Sequence, residues 1–274
     1  MKKLMKIEFF LLINIILNVK INVYIDIGNT SVDVAVIKND FFRRYKILNS
    51  DERLEKKLEK LFDDNKTTYF AYISSVNRKI SCKVINVLDN LNINYYSLNT
   101  KIMLDYCKEN GYEISNIDIL GQDLFLDLIA SEEDSIIIDL GTASKILYLD
   151  KEKRFVGGMI FPNVLLAPKI LSSSTDLISE NHIDFSPSLL SLNTREAISS
   201  GAINGSSFII YQSILQIKND YSKDAKVIFT GGYFSFLEKK IQSLNMGSYI
   251  VSSNLVIAGL AKIFNPTDFI YLKK

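Results

Sequence analysis

The chain is 274 residues long, enough for one large domain or two of ordinary size, each able to bury its own core. A hydrophobic fraction of 47% with 23% charged residues is that of a globular protein, and a net charge of +1, with bases scattered among acids, lacks the electrostatic footprint of a nucleic-acid binder. Cys82 and Cys107 are too few for a disulfide framework and too far apart for a metal knuckle; both are expected as small buried or half-buried apolar groups in a reducing cytoplasm. The only histidine, His182, lies in the polar run Ser179-Glu180-Asn181-His182 and is expected on a surface loop, which argues against His-based metal sites and Ser-His-Asp catalysis.

Met1-Lys2-Lys3 and the apolar stretch Ile7 to Val19 have the charged start and apolar middle of a signal peptide. Asn14 and Asn18 interrupt the stretch, no small-residue cleavage pattern follows, and it is short for a membrane span. Residues 1–21 are therefore set apart as an N-terminal extension or misassigned start, with a membrane-associated segment or signal peptide as alternatives. Membrane contact is expected only if that extension is real.

From Val23 the pattern predicts a β-meander: Val23 to Asp26, Val32 to Ile37 and Phe42 to Leu48, with Lys38-Asn39-Asp40 as a turn. An amphipathic helix follows, capped by Ser50, with Leu54, Leu58, Leu61 and Phe62 on one face. Tyr69 to Val76 reads as a buried strand, Ile80 to Leu91 as a helix and Asn94 to Leu98 as a short strand, which together describe a mixed sheet. Thr100 to Asn116 is polar and is expected to be irregular.

The scheme then restarts with strands Ile136 to Leu140, Ser144 to Leu149 and Phe155 to Ile160, the last two joined by a turn at Asp150 to Lys153. Helices are expected at Val164 to Leu171 and Thr194 to Lys218, then a strand Lys226 to Phe229 ending in Thr230-Gly231-Gly232, and helices Phe234 to Leu244 and Asn254 to Phe264. The organisation predicted is an α/β chain of two similar domains, 22–125 and 126–274, with ligand in a cleft between them.

Each half opens on an apolar strand that runs into an Asp-x-Gly turn: Ile25-Asp26-Ile27-Gly28-Asn29-Thr30-Ser31, and Ile138-Asp139-Leu140-Gly141-Thr142-Ala143-Ser144. A carboxylate at a strand end can orient a metal ion or its waters, glycine admits close backbone approach to an anion, and amides and hydroxyls donate to phosphate oxygens. A single copy is an ordinary turn; two copies in one context point to phosphate handling.

These residues resemble a known family. Ile25-Asp26-Ile27-Gly28-Asn29-Thr30, Gly121-Gln122-Asp123, Ile138-Asp139-Leu140-Gly141-Thr142-Ala143, Gly157-Gly158-Met159-Ile160-Phe161-Pro162, Asn193-Thr194-Arg195-Glu196-Ala197-Ile198 with Gly201, and Thr230-Gly231-Gly232 occur in the order seen in type III pantothenate kinases. The resemblance runs from Asn22 to the C-terminus. It implies two ribonuclease H-like domains of the actin-like, sugar-kinase superfamily, and transfer of phosphate from ATP to pantothenate. By position it implies that Asp26, Ile27, Gly28, Asn29, Thr30, Ser31, Val32 and Asp33 line the nucleotide triphosphate with its Mg2+, joined by Thr142, Gly231 and Gly232. It makes Asp123 the general base and Asp139 the ligand of a monovalent cation, K+ or NH4+. Tyr112, Gly121, Gln122, Asp123, Leu124 and Thr194 would line the pantothenate pocket of a cytoplasmic homodimer whose acceptor site borrows residues across the interface.

Simpler roles stand beside these. Asp123 is also suited to capping a helix Leu124 to Ile129, Asp139 to binding turn amides, Thr194 to an N-cap, Tyr112 to packing and Gly231-Gly232 to a turn. The match departs from the family in three places. Leu124 stands where an arginine should grip the pantothenate carboxylate, a charge-assisted contact of about 1.5–3 kcal/mol. Lys101, Lys169 and Arg195 are the candidate replacements. Asn163 stands where glycine is expected, altering the backbone there, and the proline expected between Tyr112 and Gly121 is missing. All three departures are on the acceptor side, which keeps two further readings open: a kinase for another small alcohol, and a nucleotide-binding regulator without activity.

Overall fold

The computed structural model describes residues 20–38, 41–62, 67–173 and 183–272; the first nineteen residues, Asn39, Asp40 and His182 fall outside that range. The chain divides into two compact units, one gathering the residues up to Ile102 with Gly121–Asp123 and Val256–Leu272, the other Met103–Leu120 and Leu124–Leu255.

In the first unit β1 (Lys20–Ile27), β2 (Ser31–Lys38), β3 (Phe41–Leu48), β4 (Thr68–Ser75) and β5 (Asn94–Ser97) form a sheet of order β3-β2-β1-β4-β5. The three-strand meander is antiparallel, and β4 and β5 add in parallel to β1. Strand alternation explains why Val23-Tyr24-Ile25-Asp26-Ile27 is apolar yet interrupted. Val23, Ile25 and Ile27 enter the core with Leu54 and Leu58 of α1 (Leu54–Leu61) and Ile80, Val84 and Val87 of α2 (Arg78–Asn90). Tyr24 stacks on Tyr72, and Tyr72 on Phe264 of α9 (Leu255–Phe264). The fully buried Tyr24 donates to Asp268 of α10 (Pro266–Leu272) at 2.7 Å, and burial together with that carboxylate holds its phenol well above the usual tyrosine range.

Those contacts place Val256–Leu272 with the first sheet, whereas chain order had assigned 126–274 to the second domain. The pattern also missed α10 itself, a short helix whose partners lie more than two hundred residues away. Lys20 and Ile21, assigned to the extension, are the first two residues of β1 and pair with Thr68 and Tyr69 of β4. Ser50 does not cap α1, which starts at Leu54 after a turn in which Asp51 accepts from the Arg53 amide. Cys107 is buried, as expected, but Cys82 on α2 is exposed; both are free thiols. Thr100–Asn110, expected to be irregular, is helix α3, in which only Met103 and Cys107 are buried, one turn apart. So narrow an apolar stripe does not register as periodicity against the polar remainder.

The second unit repeats the first. Helix α4 (Gln122–Ser131) leads into β6 (Ser135–Leu140), β7 (Ala143–Leu149) and β8 (Phe155–Pro162); later come β9 (Lys226–Thr230) and the two-residue β10 (Ile250–Val251). The order β10-β9-β6-β7-β8, read from its other edge, matches the first sheet strand for strand, with the same antiparallel meander and parallel additions. Helices α5 (Leu166–Ser173), α6 (Thr194–Ser200), α7 (Ser206–Asp220) and α8 (Phe234–Ser243) complete it, and Ile203, Ile210, Ile214, Leu237 and Ile241 pack on Ile136, Ile138 and Phe229. The single helix expected over Thr194–Lys218 is two helices joined by a π-helical turn, Gly201–Gly205. Its cap is Asn193, which accepts from the Glu196 amide at 3.0 Å, rather than Thr194.

Candidate active site

Where β1 ends, the first Asp-x-Gly turn is closed by a Gly28 amide donating to the Ser31 carbonyl at 3.0 Å. The half-buried Asp26 accepts from Ser74 of β4 at 2.8 Å. Directly across the ladder stands Asp33, buried and held by Ser31 Oγ at 3.1 Å and by Arg44 Nε and a second guanidinium nitrogen at 3.0 and 2.8 Å. Asp33 is therefore engaged within the sheet. Ile27 and Val32 point into the hydrophobic core, so they could reach a nucleotide only through backbone, while Asn29 and Thr30 are exposed at the tip.

Asp123 sits in the first turn of α4, where helix amides and the macrodipole favour a carboxylate. Its neighbour Gln122 fixes that helix end in place. The Gln122 side chain accepts from the Ser75 amide at 2.8 Å and donates to the Leu98 carbonyl at 2.9 Å, bridging the carboxyl ends of β4 and β5. Gln122, expected as a pocket residue, is thus a tether that brings Asp123 to the strand ends where Asp26 also lies, all within the first unit. Ligands collect at such strand ends in open α/β sheets.

The second turn is built more tightly. Gly231 has φ +89°, and a Cβ there would lie 2.4 Å from the Leu140 carbonyl carbon and 2.6 Å from Asp139 Oδ1. What Gly231 permits is close approach to its own chain, and the Tyr233 amide adds a hydrogen bond to the Leu140 carbonyl. Gly28 and Gly141 do not have positive φ; a Cβ at Gly141 would rest 3.3 Å from Asp139 Oδ1. Asp139 is buried, and Lys145, its cross-strand partner on β7, donates to Asp139 Oδ2 at 2.6 Å.

That ion pair bears on the expected monovalent cation. One carboxylate oxygen is taken by an ammonium and the other lies against Gly231 and Gly141, with only 9% and 13% of the Asp139 and Lys145 side chains exposed. The ammonium already offsets the carboxylate charge, so at equal dielectric its repulsion of an added cation largely cancels the attraction that Asp139 would exert. The residues at Asp139 do not fit an added cation, and among the described residues no cluster of three or more His, Cys, Asp or Glu side chains could hold a metal ion.

Two asparagines absent from the expected site turn out to grip both turns. Asn49, the residue after β3, donates to the Gly28 carbonyl at 3.0 Å; Asn163, the residue after β8, donates to the Gly141 and Thr142 carbonyls at 3.0 and 2.6 Å. Asn163 Oδ1 also accepts from the Leu165 and Leu166 amides at the start of α5. Its φ is not positive, so it does not bring the backbone change expected from the loss of glycine. Because a trans peptide sets N–H opposite C=O, holding the Gly28 and Gly141 carbonyls turns the Asn29 and Thr142 amides the other way. The shared position of Asn49 and Asn163 after the third strand of each half was the available signal.

On the acceptor side, Tyr112 is buried and its hydroxyl donates to the Ile129 and Glu132 carbonyls at 3.2 and 3.4 Å, so it serves packing at the end of α4; burial raises its phenol above the usual range. Leu124 is half-buried, whereas Thr194, Lys101, Lys169, Arg195 and Gly232 are exposed.

Two sheets of matching strand order, each ending its central strand in an Asp-x-Gly turn, define a duplicated α/β protein. Solved structures of similar fold include MreB5 of Spiroplasma citri bound to ADP (TM-score 0.47, 12% identity, covering 92% of this chain and 98% of that one) and component A of the (R)-2-hydroxyglutaryl-CoA dehydratase of Acidaminococcus fermentans (TM-score 0.46, 10% identity, 91% and 99%). The sequence model of type III pantothenate kinase matches residues 22–216. Curated relatives of that name include those of Mycoplasma mobile, 30% identical over 251 residues, and Borrelia hermsii, 26% over 258, covering 87% and 89% of this chain and 96% and 94% of theirs. The chain belongs to the type III pantothenate kinase family.

Proposed function

We propose that the protein transfers the γ-phosphoryl group of ATP to the primary hydroxyl of pantothenate, forming 4'-phosphopantothenate, the first step of coenzyme A synthesis. The observation that carries this reading is Asp123 at the start of α4, tethered through Gln122 to the ends of β4 and β5, with Asp26 near the end of β1, the strand paired with β4. As the hydroxyl oxygen forms its bond to phosphorus and the bond to ADP breaks, Asp123 accepts the hydroxyl proton; the rest of catalysis is positioning and charge neutralisation. A divalent ion arriving with the nucleotide, with Asp26 offered to it, would supply neutralisation at the phosphates. In the first turn we assign nucleotide contact to the Gly28, Asn29 and Thr30 backbone, and in the second to Thr142. ADP release by purified protein that rises with added pantothenate is the expected result; no pantothenate-dependent release at millimolar substrate overturns the reading.

Leu124 favours a second reading, a kinase for another small alcohol, because a leucine cannot pair with a carboxylate. The two separate in the same assay: uncharged pantoyl amides outcompeting pantothenate as acceptors would support the second. A homodimer is supported by exposed apolar residues in the second unit, Met159 and Ile160 on β8 with Phe208, Ile209 and Leu215 on α7. Sedimentation of a single 62 kDa-class species, about twice the chain mass of 31.1 kDa, is its test. Free cysteines, with the Cys107 thiol pushed up to about 11 by burial, accord with a reducing cytoplasm. No helix among the described residues is long and apolar enough to cross a membrane.

Asn163→Asp isolates the grip on the second turn. The substitution keeps Oδ1 and its cap on α5 but removes the donor to Gly141 and Thr142. Because Asn163 is buried and the new carboxylate oxygen faces two carbonyl oxygens, a loss of stability of about 1–3 kcal/mol is expected together with ATP binding weaker by about three- to tenfold, and KM for the acceptor unchanged. Titration calorimetry and thermal melting read both quantities.

A further inference from the structure

We infer that Lys145 supplies from within the chain the positive charge that a monovalent cation would bring to Asp139, so that the protein binds nucleotide and turns over without K+ or NH4+. The inference rests on the nucleotide-handling reading of the second turn and deepens it.

The geometry carries it. Lys145 and Asp139 are register partners on adjacent antiparallel strands, so the ladder itself presents the ammonium to the carboxylate. The contact is 2.6 Å, short enough for a charge-assisted hydrogen bond, and both side chains are nearly withdrawn from water. A lysine in that setting exchanges little with solvent and holds its place permanently, whereas a dissolved ion must be captured from the medium by mass action. The two halves differ at this cross-strand position. In the first, an aspartate, Asp33, faces Asp26 and is answered by Arg44 from β3; in the second, a lysine faces Asp139. The duplicated turns therefore present different fields to a ligand. The first keeps a carboxylate at the strand end for a metal that travels with phosphate, and the second carries an internally neutralised pair.

The test uses the full chain in a Mg2+-containing buffer whose only monovalent cation is N-methylglucamine, with K+ or NH4+ added back. ATP affinity by calorimetry, melting temperature and ADP release are followed together. For the unaltered protein, affinity and rate change by less than about twofold on adding K+ to about 100 mM. Lys145→Ala, which leaves Asp139 buried without this partner, binds ATP at least about tenfold more weakly in the K+-free buffer, and K+, NH4+ or methylammonium restores binding and raises its melting temperature. The double variant Asp139→Asn with Lys145→Met removes both charges at similar volume; it is expected to fold and to ignore added cation. A tenfold or larger stimulation of the unaltered protein by K+ overturns the inference, and so does a folded Lys145→Ala that responds to none of the three cations. Should Lys145→Ala fail to fold, the unaltered protein decides the matter alone. An unaltered protein that binds ATP but ignores pantothenate removes the substrate reading, while binding and melting still decide the role of Lys145. One that binds no ATP removes both.

Discussion

Asp123→Asn lowers kcat by about 10²–10⁴-fold while leaving the ATP affinity within about threefold. The amide preserves the shape of the side chain and the start of α4, and Gln122 keeps its bonds to Ser75 and Leu98, so the strand ends remain as they are. What disappears is the acceptor for the hydroxyl proton. A primary alcohol is too weak an acid to attack as an alkoxide near neutral pH, so the proton must leave as the bond to phosphorus forms. Steady-state kinetics with varied pantothenate separates this from a structural role, since a role confined to the helix start predicts kcat retained. Asn can serve as an N-cap about as well as Asp, so the melting temperature is expected to move little. A kcat within threefold of the parent removes Asp123 from the chemistry.

Gly231→Ala is expected to cost the most stability of any single methyl addition considered, about 3–5 kcal/mol, or a melting temperature lower by about 6–15 °C. Two effects combine. At φ +89° a side chain is strained wherever it sits, and here the added carbon would lie 2.4 Å and 2.5 Å from the Leu140 carbonyl carbon and oxygen. The turn after β9 would have to lift off the end of β6 and disturb Asp139. Gly247→Ala provides the comparison, because Gly247 has nearly the same φ of +85° but open space around it. Only the strain, about 1 kcal/mol, is expected there. Thermal melting of both variants measures the contribution of the close approach. Equal losses in the two would show that the contact at Leu140 relaxes freely.

Both predictions turn on residues that the sequence singled out, yet for reasons only partly visible in it. The strands were legible because alternation over β1, β2 and β3 is strong, and the repeated Asp-x-Gly turns exposed the duplication that the matching sheet orders display. Gly231 stood out as a glycine after a strand, but its constraint comes from Leu140 and Asp139 on another strand. Gln122 was expected at the acceptor pocket from the resemblance of Gly121-Gln122-Asp123 to the family motif; that its side chain also bonds β4 and β5 was not legible in the sequence. The hydrogen bond from the Tyr112 hydroxyl to the end of α4 was likewise not legible in the sequence. Helix α3 was lost because two buried side chains in eleven residues leave no periodic mark.

By itself, then, the sequence determined the elements with strong local pattern, the two halves, the carboxylates at the strand ends and Asp123 at a helix start, and it exposed Leu124 as the odd residue on the acceptor side. These are properties of period, spacing and residue type, which survive without neighbours in space. The tertiary structure alone decided which groups those carboxylates meet: Ser74 on Asp26, Arg44 on Asp33, Lys145 on Asp139, and an asparagine on each turn. It also sent the C-terminal helices to the first sheet. The physical reason is register. Lys145 follows Asp139 by six residues in a sequence that says nothing of their meeting, and only the hairpin pairing sets them face to face, turning an expected cation site into a closed ion pair.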